Sequence, residues 1–277
     1  MLELNRAVFF AKVRHGPFPG RLSQRQVDGM NALLDAWGKI GNDDPRHLAY
    51  VLATDFHETG ARMQPVREGF AKSDKEARRI TANRRYGKPA GPYGHVYYGR
   101  GDVQLTWYDN YLRMGIILGL PLAENPDLAL DPVISKLILI EGMTRGASDR
   151  GDFTNHALSD YFNNERDDPV GARQVVNGLD KAQLIAGYYA EFLTAIRAAI
   201  ADKVTNPGDA IPVKRPTVKD ETSWGGLIGT VGGAAASVKA LLDGVDNAYA
   251  LAALALVLAG GFLVFRGRLR ILRETGE

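Results

Sequence analysis

From Ala248 to Phe265 the chain reads AYALAALALVLAGGFLVF, eighteen residues without a charge. A stretch of this kind has to leave water. As a helix rising 1.5 Å per residue it spans about 27 Å, close to the hydrocarbon thickness of a bilayer. Asp243 and Asp246 stand before it, and Arg266, Arg268, Arg270 and Arg273 follow it. Arginines stay on the cytoplasmic side, so the charge order predicts one transmembrane helix over 245–273. Its C-terminus is then cytoplasmic and the bulk of the chain lies across the membrane. The alternative for 248–265 is a buried core helix. Residues 1–16 hold only a short apolar core, AVFFA, between Arg6 and Lys12, which reads as the first amphipathic helix of a folded domain and not as an export signal.

The rest of the chain divides by composition. DKVTNPGDAIPVKRPTVKDETSW, Asp202 to Trp224, carries three prolines and alternating charges with little apolar periodicity. Together with the Gly-, Ala- and Ser-rich run that follows, it predicts a linker and tether over 201–244. That leaves a domain over 1–200, enough to bury a sizeable core without disulfides. The chain contains no cysteine, which excludes disulfide frameworks, thiol nucleophiles and zinc ribbons. A net charge of only +2 argues against a nucleic-acid partner.

Within 1–200 the pattern is mostly helical. Ser23 and Gln26 form a capping box ahead of Val27, Met30, Leu33, Leu34 and Trp37 at helical spacing. Asp44 followed by Pro45 is an N-cap with proline at the first helical position, and the helix it opens ends near Gly60. Further helices are predicted over 131–144, 153–162 and 181–200. Gly, Pro and Tyr over 84–103 predict loops and a short β-hairpin. The fold class is therefore mainly α, an α+β domain with a minor hairpin.

Two segments carry candidate chemistry. His57 and Glu58 close an apolar helix, and a carboxyl in such surroundings is a candidate general acid. Glu68 lies ten positions on. Gly60 and Pro65 break the helix between them, so the chain can fold back and turn Glu68 toward Glu58. Two carboxyls about 6.5–9.5 Å apart are what an inverting glycosidase uses. The second segment is YYGRGDVQLTWYDNY, Tyr97 to Tyr111. Tyr97, Tyr98, Trp107, Tyr108 and Tyr111 offer stacking faces for sugars. Gln104, Thr106 and Asn110 offer neutral hydrogen-bonding groups, and in a strand Gln104 and Thr106 point the same way.

HETG at His57 to Gly60, YYGRGDVQLTWYDNY, NPDLALDP at Asn125 to Pro132 and VVNG at Val175 to Gly178 occur in that order. The ordered set resembles the family 19 glycoside hydrolases, the chitinases and the chitinase-like endolysins of bacteriophages, over roughly residues 8–200. The resemblance implies a lysozyme-like fold with no cofactor or metal. It makes Glu58 the general acid and Glu68 the base that activates water, with Asp74 or Glu76 as the nearest substitutes for the second role. It makes Gln104 and Thr106 the pair that orients water and substrate. His57, Tyr98, Trp107, Asn110 and Asn177 join them as substrate-binding residues. A basic residue expected after the Asn-Gly motif has no clear counterpart, with Lys181 as a candidate. The substrate implied is the glycan strand of peptidoglycan, with chitin as the alternative, and a non-catalytic wall-binding module is a third reading. Joined to the apolar run, the resemblance implies an inner-membrane protein anchored through residues 248–265. Its domain then faces the periplasm, or waits in the cytoplasm until a holin-like pore acts.

Other signals are weaker. Ala61 stands where a zinc protease would have the second His of HExxH. His15, His47, His95 and His156 show no ligand spacing and read as surface or capping residues. Arg100-Gly101-Asp102 spells an adhesion tripeptide by coincidence. Arg78, Arg79, Arg84, Arg85 and Lys88 form a basic run that suits either solvent or an anionic cell wall.

Overall fold

The computed structural model describes residues 2–144 and 153–205. Met1–Lys203 forms one compact unit. Its helices are α1 (Arg6–His15), α2 (Gln24–Ile40), α3 (Pro45–Glu58), α4 (Asp74–Thr81), α5 (Tyr108–Leu118), α6 (Pro132–Thr144) and α7 (Ala182–Thr205). Among the described residues, four two-residue strands form two small antiparallel sheets: β1 (Val66–Arg67) with β4 (Arg100–Gly101), and β2 (Pro89–Ala90) with β3 (His95–Val96). The mainly helical class with a minor β-hairpin is as read from the sequence.

Local chemistry explains the helix starts. The Ser23 hydroxyl accepts from the Gln26 N–H while the Gln26 side chain accepts from the Ser23 N–H, completing the capping box of α2. Asp44 caps α3 by accepting from the Arg46 N–H, with Pro45 in the first turn. Every residue of α3 from His47 to Phe56 is buried, so this helix runs through the core and brings Glu58 out at its C-terminal end. α2 packs on α6, burying Met30, Leu33, Leu34 and Trp37 against a helix whose residues 134–143 are all enclosed.

The loop after α3 lies close on α2. A Cβ on Gly29 would collide with the Met63 carbonyl oxygen, and the Gln64 amide donates to Arg25 O at 2.7 Å. Gly29→Ala is therefore expected to cost about 3 kcal/mol by overpacking. For a domain of this size the thermal midpoint should fall by roughly 10 °C, which a melting curve followed by circular dichroism would read.

Four expectations are corrected. Residues 153–162 do not form a helix. Asn155 takes a left-handed backbone (φ 63°), and only a single 3₁₀ turn, Leu158–Asp160, follows. The apolar side chains of that segment reach the core one by one: Ala157, Leu158, Tyr161 and Phe162 are buried. His47 is not a surface residue. It is buried, with its ring nitrogens bonded to Asn42 and to Phe162 O, and burial holds it below the ordinary histidine range. The segment holding Gln104 and Thr106 is not a strand but a tight turn closed by paired Arg100–Leu105 backbone bonds, with Gln104 left-handed at φ 55°. Finally, α7 runs on to Thr205, so the first five positions of the expected linker are helical.

Residues 206–244 and the apolar run 248–265 lie outside the described residues. Among the described residues one helix is long and apolar enough to cross a membrane, over Ala182–Asp202. Its Tyr189 and Phe192 are buried against Tyr50 and Phe56 of α3, which places it in the domain core. Arg100 and Asp102 are buried as well, so the Arg-Gly-Asp tripeptide offers no adhesion surface.

Candidate active site

The β1–β4 pairing decides the site. It matches Val66 with Gly101 and Arg67 with Arg100, which sets the residue after β1, Glu68, beside Gly99. The Glu68 N–H donates to Gly99 O at 2.8 Å. The Glu68 carboxyl accepts from the Gly99 N–H at 2.9 Å and from the Tyr86 hydroxyl at 2.6 Å. Both oxygens are thus engaged and the carboxyl plane is fixed. Burial and the neighbouring Glu68 push the Tyr86 hydroxyl up to about 12, so it remains a donor. Gly99 has to be small: a Cβ there would come 2.8 Å from Gln104 Oε1 and 3.3 Å from Glu68 Oε2.

Glu58 is held from another direction. The Arg173 guanidinium donates to Glu58 Oε1 at 2.9 Å, with the Arg173 side chain almost fully buried and the Glu58 side chain 18% exposed. Arg173 is braced in turn by a bond from Nε to Asp180 O. His57 is half-buried. Burial holds it below the ordinary range, against the pull of Glu58 and with the push of Arg173.

Glu58 and Glu68 line one groove of about 450 Å³, together with Tyr86, Gly99, Gln104, Thr106, Trp107, Asn110 and Asn177. The Gln104 amide donates to Val66 O and Gly101 O, both at 3.0 Å, which leaves Oε1 as its remaining polar atom. The Thr106 hydroxyl donates to Gln104 O, and the Asn110 amide donates to Thr106 O. Trp107 is 45% exposed, sits edge-on to Tyr86 and carries the Arg85 guanidinium 6.0 Å from its ring centroid.

Seven of the nine residues expected at the site therefore line this groove, and His57 and Tyr98 do not. Tyr98 is fully buried, with its ring under the Arg100 guanidinium at 3.6 Å and its hydroxyl donating to Asp74 at 3.0 Å. It packs the core instead of stacking on a sugar. Tyr97 and Tyr111 are buried in the same cluster. Asp74 and Glu76, the substitutes considered for the second acid, are engaged elsewhere. Asp74 faces Arg100 and Arg78, and Glu76 accepts from the Lys72 N–H.

The partners that hold the two acids were missed in the sequence: Tyr86 and Gly99 on Glu68, and Arg173 on Glu58. The expected basic partner was sought after the Asn-Gly motif, at Lys181. The structure brings in Arg173, four positions before Asn177, while Lys181 stays exposed at the mouth of α7. Only a search on both sides of the motif would have found it.

The sequence model of the chitinase class I family, Glyco_hydro_19, matches residues 32–174, just over half of the chain. The chain belongs to the family 19 glycoside hydrolases. Among curated relatives, an endochitinase of Arabidopsis thaliana is 37% identical over 95 residues, which cover 32% of this chain and 29% of that protein. Chitinase 11 of Oryza sativa subsp. japonica is 38% identical over 103 residues, 36% of each chain. An inactive chitinase-like protein of Hevea brasiliensis is 56% identical over 48 residues, 17% of this chain and 15% of that one. The chain spans about a third or less of the length of these relatives. Among solved structures, chitinase C from Streptomyces griseus HUT6037 aligns with a TM-score of 0.43 at 23% identity, covering 70% of this chain and 92% of that one.

Proposed function

We propose that this family 19 domain hydrolyses β-1,4 glycosidic bonds with inversion at the anomeric carbon, with Glu58 as general acid and Glu68 as general base. The observation that carries the reading is that two carboxyls from separate segments line one groove, each held by its own donors. In an inverting mechanism the acid protonates the leaving oxygen and the base takes a proton from water on the opposite face of the ring. Arg173 donates to one oxygen of Glu58 and so orients the carboxyl in the groove. Gln104 Oε1 and the Thr106 hydroxyl oxygen are then the acceptors available to orient that water.

The substrate we propose is the glycan strand of peptidoglycan. The exposed basic run Arg78, Arg79, Arg84, Arg85 and Lys88 supports it, because stem peptides and wall polymers are anionic. The uncharged run 248–265 supports it as a tether that would hold the domain at the inner membrane, beside the wall. Chitin is the second reading, favoured by the chitinases among the relatives. The test is to incubate the purified chain with chitin oligomers and with purified sacculi, following released reducing ends and the anomer of the fresh product by NMR. Release from sacculi with an inverted anomer is expected. Cleavage of chitin oligomers alone would move the substrate to chitin, and binding to sacculi without release would mark a wall-binding module.

Trp107 is an exposed aromatic face among the residues lining the groove. Trp107→Ala is expected to raise KM about tenfold while kcat changes little, because a stacking contact serves ground state and transition state alike. Steady-state kinetics on the accepted glycan would read the split.

A further inference from the structure

Lys136 lies in the middle of α6 with its side chain enclosed. Its Nζ is 2.7 Å from Asp55 Oδ2, 3.0 Å from Asp102 Oδ1 and 3.3 Å from Met63 O. Asp55 and Asp102 are themselves fully buried. The three partners belong to three segments, and each segment carries part of the groove. Asp55 sits one helical turn before Glu58 on α3. Met63 is in the loop that leads to Glu68. Asp102 opens the turn that bears Gln104 and Thr106. The Asp102 N–H also donates to the hydroxyl of Ser135, the neighbour of Lys136, at 2.8 Å.

Stability is a poor account of such a cluster. Desolvating three ionic groups is costly, and apolar replacements of buried ion clusters are often at least as stable. Direction is what distinguishes it. The Lys136 hydrogen bonds to Asp55 and Met63 hold atoms at a set distance and angle, and the ion pair holds Asp102 at a set distance, whereas apolar packing specifies neither. Catalytic geometry is sensitive on that scale, since a misplacement of about 1 Å can cost two orders of magnitude in rate.

We propose that Lys136 is a positioning residue for the hydrolysis proposed above, on which this inference rests. It ties the acid-bearing helix, the base-bearing loop and the Gln104–Thr106 turn to one point on α6, and so sets the spacing across the groove.

Lys136→Met alone would leave two buried carboxyls without their cation and damage the fold whatever the role of the lysine. The decisive variant combines Asp55→Asn, Asp102→Asn and Lys136→Met in the full chain, removing all three charges at nearly constant volume. Its thermal midpoint is expected within about 5 °C of the parent, with kcat at least about tenfold lower and KM within about threefold. Amide NMR signals of Glu58, Gly99 and Gln104 should shift, while those of Phe9 and Val13 on α1 stay in place. Parental kcat and unmoved groove signals in that variant would overturn the proposal.

Asp102→Asn alone keeps the Lys136–Asp55 pair and is the milder probe. It should fold like the parent and move the Gln104 and Thr106 signals; if it moves neither, the proposal fails. A parent chain that cleaves neither chitin nor sacculi would instead refute the catalytic reading, and the NMR signals would still judge the positioning role.

Discussion

Glu58→Gln is expected to lower kcat by about 10³-fold, within the range that a general acid supplies. The amide keeps the shape of the carboxyl, and its oxygen can still accept from Arg173, whose guanidinium stands 2.9 Å from Glu58 Oε1. The fold should therefore hold, with a thermal midpoint within a few degrees of the parent. What disappears is the transferable proton. Reducing ends released from the accepted glycan measure the loss, and an oligosaccharide binding assay on the same preparation shows whether the groove is intact. Hydrolysis at the parental rate in a folded Glu58→Gln protein would remove the acid from the mechanism, and with it the two-carboxylate account.

Glu68→Ala should be comparably severe, with a kcat loss of about 10³-fold, but it should respond to chemistry that Glu58→Gln does not. Without a base, water attacks the anomeric carbon poorly. Azide needs no deprotonation. It can attack from the face opposite the leaving oxygen, forming the carbon–nitrogen bond as the glycosidic carbon–oxygen bond breaks and Glu58 protonates the departing sugar. The product is a glycosyl azide of inverted configuration, detectable by mass spectrometry and NMR. Azide-dependent turnover by Glu68→Ala, with none by Glu58→Gln, assigns the two roles. Parental activity in Glu68→Ala without azide would send the second role to another group. Tyr86 and Gly99 donate to the Glu68 oxygens, so truncation also leaves two donors without their acceptor. A modest loss of stability should accompany the loss of rate.

Much of the helical framework was legible because its causes are local. The Ser23–Gln26 box and the Asp44–Pro45 start act within four residues, and the apolar run of α3 announces a core helix with Glu58 at its end. Segment 153–162 misled because its apolar residues have helical spacing, while Asn155 adopts a left-handed backbone that no periodicity reports. The aromatic string Tyr97 to Tyr111 is ambiguous for a related reason. A ring that can stack on a sugar can equally pack in a core, and the string alone does not say which way it turns. Trp107 remained exposed among the residues lining the groove, whereas Tyr98 turned inward beneath Arg100.

The division between the two sources of information follows the range of the forces. Residue order and composition were enough to determine the helices with strong caps and the mainly helical class, because capping and amphipathicity act over a few positions, while the two acids worth testing came from the resemblance of the ordered motifs to the family 19 hydrolases. Tertiary structure alone decided which partners those acids meet. Arg173 reaches Glu58 across 115 positions, and Gly99 reaches Glu68 across 31. Such contacts exist only once the β1–β4 pairing and the packing around α3 have brought distant segments together, and no local pattern encodes them.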